Sequence, residues 1–182
     1  MKKIFNLQKR QILNRFLVLL VGVLLFFPSW GEDFTSNGIT YRTVTKSSVH
    51  VIGTDDSLEG NVTIPEYISG YRVTKISDYA FSGRYNITSV SLPDGVTEIG
   101  IYAFSGCTGL KSIKLPTSLR TLQRYAFYNC CSLDSISLPS GLTWIDTDVF
   151  NRCSSLTSIT FPAGLTCIES HAFMNCIGLV KP

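Results

Sequence analysis

The chain has 182 residues, 45% hydrophobic and 16% charged, a balance that excludes an intrinsically disordered protein and favours a single folded unit. Its net charge of +3 comes from the N-terminus, because residues 1–31 hold five basic side chains and no acidic one. After residue 31 there are 11 basic and 13 acidic side chains, a net charge of −2. Such a domain is not an electrostatic nucleic-acid binder.

The N-terminus has the layout of a secretory signal peptide. The five basic residues precede a twelve-residue apolar run at residues 16–27, and the small residues Ser29 and Gly31 occupy positions −3 and −1 of a cleavage site. Twelve residues fall short of the roughly 20 that a transmembrane helix needs. We therefore predict a signal peptide at residues 1–31 and a secreted or cell-surface protein. The alternative is an uncleaved membrane anchor, in which case the membrane is contacted only through this segment.

Residues 60–182 are built from a repeat of 23 residues. Phenylalanine recurs at this interval, which defines four full units and a truncated fifth, beginning at Phe81, Phe104, Phe127, Phe150 and Phe173. Upstream, residues 73–80 fit the last third of the same unit, and an insertion of five residues is predicted near Tyr67–Tyr71. A fixed period of this length is the signature of a repeat protein.

Each unit contains six apolar positions, numbered 1, 7, 10, 12, 16 and 19 from the leading phenylalanine. Alternation at positions 8–12 predicts a short strand, the proline at position 13 ends it, and positions 16–19 predict a second strand. Positions 20–23 and the next phenylalanine predict a brief helical turn. One unit cannot bury enough apolar surface to offset the ordering of its backbone, so the units must stack as a solenoid.

After each predicted helical turn, a residue that tolerates left-handed backbone angles is expected. Four units satisfy this expectation, with Gly83, Gly106, Asn129 and Asn175. Arg152 occupies the same position in the remaining unit and does not fit the rule.

The unit C-x-x-L-x-S-I-x-L-P-x-x-L-x-x-I-x-x-x-A-F resembles the BspA-type leucine-rich repeat of bacterial surface proteins. This resemblance implies a right-handed leucine-rich-repeat superhelix made mainly of short parallel β-strands with short helical turns. Residues 32–59, with their strand-like segments at 38–41 and 49–52, resemble the β-rich cap that often precedes such arrays. The resemblance further implies surface display and the binding of host or neighbouring-cell proteins, since some members are adhesins for extracellular matrix proteins.

The first strand of each unit predicts a candidate protein-binding face. If positions 10 and 12 point into the core, positions 9 and 11 point outward on the same sheet, and position 8 lies beside them at the start of the strand. Position 9 is serine in every unit, whereas positions 8 and 11 vary. The eight variable residues are Thr88, Ser91, Lys111, Lys114, Asp134, Ser137, Thr157 and Thr160. The alternative interpretation is a solvated sheet surface with no ligand, which short hydroxyl side chains also suit.

Six cysteines in an exported chain raise the question of disulfides. Four of them recur at position 4, where parallel side chains on stacked coils keep Cβ atoms further apart than a disulfide prefers. We therefore predict a ladder of free, buried thiols at Cys107, Cys130, Cys153 and Cys176. Cys131 and Cys167 lie at other positions and are predicted to be the more exposed or reactive pair.

No catalytic constellation is recognisable in the sequence. The two histidines, His50 and His171, are interpreted as a strand residue of the cap and a variable surface residue, and no CxxC pair points to zinc. We expect no enzymatic activity, no cofactor, no metal and no small-molecule substrate. The predicted function is protein binding or adhesion, with a host or extracellular matrix protein as partner; the alternative is a non-binding structural spacer or part of a larger surface protein.

Overall fold

The structure is a computed structural model that describes residues 16–20, 23–27 and 30–180. The first two strands, β1 (Phe16–Leu20) and β2 (Val23–Phe27), pair antiparallel. Most of the predicted signal peptide, residues 1–31, lies outside the described residues, and its cleavage stays a prediction. Within the part of the chain that is described, no helix has the length and apolar character needed to cross a bilayer.

Three antiparallel strands follow: β3 (Asp33–Ser36), β4 (Ile39–Thr43) and β5 (Ser48–Thr54). The first two are joined by Asn37 and Gly38, whose φ angles of 50° and 75° are left-handed, as the tight Asn-Gly hairpin turn requires. Alternate residues of β4 and β5 are buried, so these strands present one face to the core. The domain boundary predicted between residues 59 and 60 stays a prediction.

The predicted five-residue insertion is a hairpin. After β6 (Gly60–Thr63), the strands β7 (Tyr67–Ile68) and β8 (Tyr71–Ile76) pair antiparallel across a turn at Ser69 and Gly70. β8 also pairs in parallel with β5 on one side and with the first full repeat on the other. It therefore joins the antiparallel strands to the stacked repeats.

Each full repeat contributes two short strands. The first strands are β9 (Ile87–Ser91), β11 (Ser112–Lys114), β13 (Ser135–Ser137) and β15 (Ser158–Thr160). The second strands are β10 (Glu98–Ile99), β12 (Thr121–Leu122), β14 (Trp144–Ile145) and β16 (Cys167–Ile168). Paired strands of successive repeats are parallel and offset by 23 residues, as in Ser89 opposite Ser112. A 3-10 helix at Ile177–Val180 ends the described chain. The predicted solenoid of short parallel strands is confirmed.

The strands form ladders along two sides of the solenoid. One sheet has the order β12-β10-β8-β5-β4-β3, with β7 beside β8, and the other has the order β11-β9-β6. Further on, β13 pairs with β15 and β14 with β16. Among the described strands, β11 does not pair with β13, nor β12 with β14. There the stack continues through the turns, where the amide of Phe127 donates to the carbonyl of Val149 at 2.9 Å.

The core is the column of repeated apolar side chains between the two sheets. The leucine, isoleucine and valine residues predicted at positions 7, 10, 16 and 19 are buried in the first three full units. Phenylalanine rings stack along the axis, with centroids 4.9 Å apart for Phe81–Phe104 and 5.3 Å apart for Phe104–Phe127. In the fourth unit Phe161 and Ile168 are 45% and 49% exposed, because no coil in the described chain covers them.

The predicted helical turns are successive hydrogen-bonded turns, and the described chain is almost free of helix. The left-handed residue expected after each turn is present in every unit, including Arg152 with φ of 65°. Its guanidinium carbon lies 5.7 Å from the centre of the Tyr128 ring, a cation–π contact that helps to hold this side chain in place. The left-handed backbone angle expected at this position is therefore adopted in every unit, even where the residue is arginine.

A second left-handed position occurs at position 22 of each unit, which the sequence did not suggest. It holds bulky or polar residues with φ between 54° and 60°: Tyr79, Tyr102, Tyr125, Asp148 and His171. Such angles are costly for residues with a Cβ atom. Three of these side chains stack, with ring centroids 5.2 Å and 4.5 Å apart, so contacts between coils offset part of the cost.

The position-4 cysteines form the predicted ladder of buried thiols. Each Sγ donates to the phenylalanine carbonyl of the preceding coil, as in Cys107 to Phe81 at 3.0 Å and Cys130 to Phe104 at 3.1 Å. Burial raises the pKa of Cys107 to about 12 and raises that of Cys130 well above its usual value. Cys131 and Cys167 are only partly buried.

Thiol reagents should therefore distinguish two classes of cysteine. Burial slows the reaction at pH 8 both by raising the pKa, since the thiolate is the reacting species, and by excluding the reagent. The hydrogen bond to Glu169 also raises the pKa of Cys167, but this thiol is only partly buried and stays accessible. We expect a chromogenic disulfide reagent to modify Cys131 and Cys167 in the native protein and all six cysteines after unfolding in denaturant. Peptide mapping of the native adducts checks the assignment, and rapid native labelling of Cys130 would contradict it.

Candidate protein-binding face

The candidate face is the outer surface of the first-strand sheet. On β11, β13 and β15 the middle residue is directed to the core and its two neighbours are exposed. This alternation follows from the pleat of a strand, which sends successive side chains to opposite sides. The sequence therefore identified the outward residues correctly for these three strands.

The parallel register brings the predicted residues into rows across the sheet. Ser91 lies opposite Lys114, and Ser137 lies opposite Thr160. Six of the eight predicted residues are exposed: Lys111, Lys114, Asp134, Ser137, Thr157 and Thr160. The other two, Thr88 and Ser91, are half-buried.

Thr88 belongs to a local hydrogen-bond network beside β6. Its hydroxyl donates to Asn61 Oδ1 at 3.1 Å, and the hydroxyl of Ser89 donates to the same oxygen at 2.7 Å. Asn61 and Ser89 are register partners, so this contact extends the serine row of position 9 onto β6. Part of the surface predicted as a binding face, around Thr88, is therefore already engaged in hydrogen bonds within the protein.

The charged centre of the candidate face is formed by Lys111, Lys114 and Asp134. Within the described residues, the ammonium groups of Lys111 and Lys114 have no hydrogen-bond or ion-pair partner, and both side chains are exposed. Asp134 accepts a hydrogen bond from the hydroxyl of Thr157 at 3.3 Å. Two unpaired cations beside a carboxylate can form new ion pairs with a partner without first breaking internal ones.

A shallow groove crosses this centre. It is lined by side chains of three successive repeats: Lys111, Ser112, Ser132, Asp134, Ser135 and Ser155. Four of these residues are not among the eight predicted ones: Ser112 and Ser135 are the outward serines of position 9, and Ser132 and Ser155 occupy position 6. Position 6 precedes the alternating segment, so the direction of its side chain depends on the bend into the strand. The sequence pattern therefore indicates only weakly that Ser132 and Ser155 face the groove.

The remaining residues singled out in the sequence are not brought together. His50 is half-buried on β5, and His171 is exposed in a turn of the fourth repeat. In the described residues, no group of three or more His, Cys, Asp or Glu side chains could hold a metal ion.

The sequence profile described as the BspA type leucine rich repeat region matches residues 74–181 in six copies. Among curated protein sequences, none matches the chain.

Solved structures share the fold. The T. pallidum leucine-rich repeat protein is 33% identical with a TM-score of 0.74, over 81% of this chain and 69% of that one. A leucine-rich repeat protein from Bacteroides capillosus is 26% identical with a TM-score of 0.63, over 75% and 98%. A leucine-rich cell surface protein from Faecalibacterium prausnitzii is 24% identical with a TM-score of 0.57, over 84% and 54%.

Proposed function

Because the chain belongs to the BspA-type leucine-rich repeat family, we propose that it is a non-enzymatic, protein-binding module that acts outside the cell or at its surface. The observation that carries this proposal is the row of exposed, variable side chains on and just before β11, β13 and β15, set against a core that is apolar in every unit. Export is supported by the layout of residues 1–31. A surface location is further supported by the similarity in fold to the leucine-rich cell surface protein of F. prausnitzii.

The face is suited to a folded protein partner rather than to a small molecule. Its side chains extend over four stacked strands, and its groove is open and lined mostly by hydroxyl groups. A flat polar surface with a few unpaired charges provides specificity through ion pairs and hydrogen bonds at many points. The proposed contact residues are Thr88, Ser91, Lys111, Lys114, Asp134, Ser137, Thr157 and Thr160, and the proposed partner is a host or extracellular matrix protein.

We expect the double substitution Lys111→Ala and Lys114→Ala to weaken binding by at least about tenfold, since each lost ion pair at an interface costs on the order of 1 kcal/mol. The measurement is surface plasmon resonance of the full chain over immobilised collagen, laminin and fibronectin. The matched control is Lys46→Ala with Arg124→Ala, which removes the same charge at exposed sites elsewhere.

Equal loss in both double variants would show that net charge, and not this face, attracts the partner. Binding that is unaffected in both would place the contact on another surface, and an absence of wild-type binding to all three proteins would favour the second candidate function, a structural spacer. The exposed apolar side chains of the fourth repeat, among them Phe161 and Ile168, support a stacking role of that kind. The two functions therefore predict different results in one experiment.

A further inference from the structure

A row of charged side chains crosses the other sheet, on the side away from the core. In the register of neighbouring strands, each residue of the row lies opposite the next, in the order Asp33, Arg42, His50, Lys75 and Glu98. The residues that flank the row along β4 and β5 are buried, so the row itself faces outward. His50 lies at its centre, with a cation on each side and a carboxylate at each outer end.

Both carboxylates are engaged with their neighbouring cations. Arg42 donates to Asp33 through Nε at 2.7 Å and through Nη2 at 2.8 Å. Lys75 Nζ donates to Glu98 Oε1 at 2.7 Å, and the same oxygen accepts a hydrogen bond from Gln123 Nε2. Because β3 and β10 lie beyond β4 and β8, these carboxylates are on the outer sides of the two cations.

The imidazole of His50 differs from the two cations beside it, which are each paired with a carboxylate. Among the described residues no hydrogen bond involves its ring nitrogens, although the side chain is half-buried. Burial lowers the pKa of His50, the charge of Lys75 lowers it further, and the charge of Glu98 opposes this in part. The neutral imidazole is therefore favoured in the free protein, and its nitrogen atoms are available to a ligand.

Arg42, His50 and Lys75 line an open groove together with Ile52, Ser77 and Asp78. Asp78 is already occupied, since its Oδ1 accepts a hydrogen bond from the amide of Ile101 at 3.0 Å. The lining of the groove thus carries two cations, Arg42 and Lys75, and one carboxylate, Asp78, and its strand residues lie on three adjacent strands, a width of about 10 Å. One wall is apolar, and a hydroxyl group at Ser77 can donate a further hydrogen bond.

We propose that the groove between Arg42, His50 and Lys75 binds a single carboxylate group presented by a protein segment. A carboxylate can accept hydrogen bonds from the imidazole and from the two cations at once, and such charge-assisted bonds are the stronger ones. The carboxylates of Asp33 and Glu98 at the outer ends of the row, together with Asp78 in the groove, repel a polyanion such as a sulfated polysaccharide more strongly than they repel one isolated carboxylate placed beside His50. This site is separate from the face on β9, β11, β13 and β15 and does not depend on it.

Binding at this site is coupled to the protonation of His50. A bound carboxylate favours the imidazolium form and so raises the pKa of His50. By linkage, the ligand binds more tightly as the pH falls. We expect affinity to increase by roughly three- to tenfold between pH 7.5 and pH 5.5, a range in which a glutamate carboxylate stays ionised.

The test uses the full chain with isotope-labelled histidine, whose two imidazoles are followed by NMR during pH titration. The probe is a blocked pentapeptide, acetyl-Gly-Gly-Glu-Gly-Gly-amide, and its Gln counterpart is the control ligand. Acetyl-pentaglycine with a free C-terminus is compared with its amide, which distinguishes a side-chain carboxylate from a terminal one. His171 is exposed and belongs to the fourth repeat, so it serves as an internal reference.

The expected result is a raised pKa of His50 alone with either carboxylate probe, and no change with the neutral peptides. Lys75→Gln should weaken the response by roughly fivefold or more, while Lys46→Gln, an exposed residue outside the row, should leave it unchanged. The proposal is overturned if His50 does not respond, if the Gln peptide acts equally, or if heparin binds the groove more tightly than the Glu peptide. The wild-type titration needs no variant, so poor folding of a variant cannot hide the answer.

Discussion

Replacing Phe127 by alanine is expected to lower the free energy of unfolding by about 3–5 kcal/mol. The ring is fully buried and stacks between Phe104 at 5.3 Å and Phe150 at 5.6 Å. Its loss removes apolar contacts to both neighbouring coils and leaves a cavity that two fixed coils cannot close. Urea unfolding followed by far-UV circular dichroism measures the change.

Phe173→Ala is the matched control for this prediction. Phe173 occupies the same repeat position and also stacks on a phenylalanine, Phe150, at 5.3 Å. It is only partly buried and lies at the last coil of the described chain, so its loss should cost clearly less. Equal effects at the two positions would contradict the prediction that burial between two neighbouring coils sets the larger cost at Phe127.

Gly109→Ala is expected to destabilise the fold by about 1–3 kcal/mol, because the added methyl group overpacks two coils. A Cβ atom at this position would lie 2.1 Å from the carbonyl oxygen of Tyr85 and 3.2 Å from that of Ile87. Both are backbone atoms of the preceding coil, so no side chain can move aside to make room. The same urea unfolding measurement checks the prediction.

Gly53→Ala separates overpacking from the general effect of removing a glycine. Gly53 lies in β5, and a Cβ atom there would meet no atom within 4 Å. The substitution should be neutral or stabilising by up to about 1 kcal/mol, since alanine reduces the freedom of the unfolded chain. A loss of stability at Gly53 similar to that at Gly109 would contradict the steric explanation.

The repeat and its orientation were predictable from the sequence because they depend on local patterns. Apolar side chains at fixed intervals determine which side of each strand faces the core, and a constant period of 23 residues determines the offset between stacked coils. Ser89 opposite Ser112 and the buried Cys130 both follow from that period. The exposed position of Lys114 follows from the alternation of one short strand, whereas Lys111 precedes β11 and its exposure does not follow from that alternation.

The left-handed residues at position 22 could not be predicted in this way. Aspartate and histidine adopt such angles more often than most residues, but tyrosine, which fills the position in three units, does not. The turn between coils imposes this conformation, because its amides must donate to carbonyls of the next coil. The amide of Tyr125, for example, donates to the carbonyl of Thr147 at 3.1 Å. Stacking of Tyr102 on Tyr125 then becomes possible only in the assembled solenoid.

By itself the sequence determined the period, the core-facing residues, the outward row of the first strands and the layout of the N-terminal segment. Only the tertiary structure decided that His50 lies between Arg42 and Lys75. That arrangement depends on which strands are neighbours and on a register shift between Val49 and His50, which pairs His50 with Lys75 rather than Thr74. A shift of one residue reverses the side to which a side chain points, and such a shift leaves no periodic signal because it arises from contacts between distant parts of the chain.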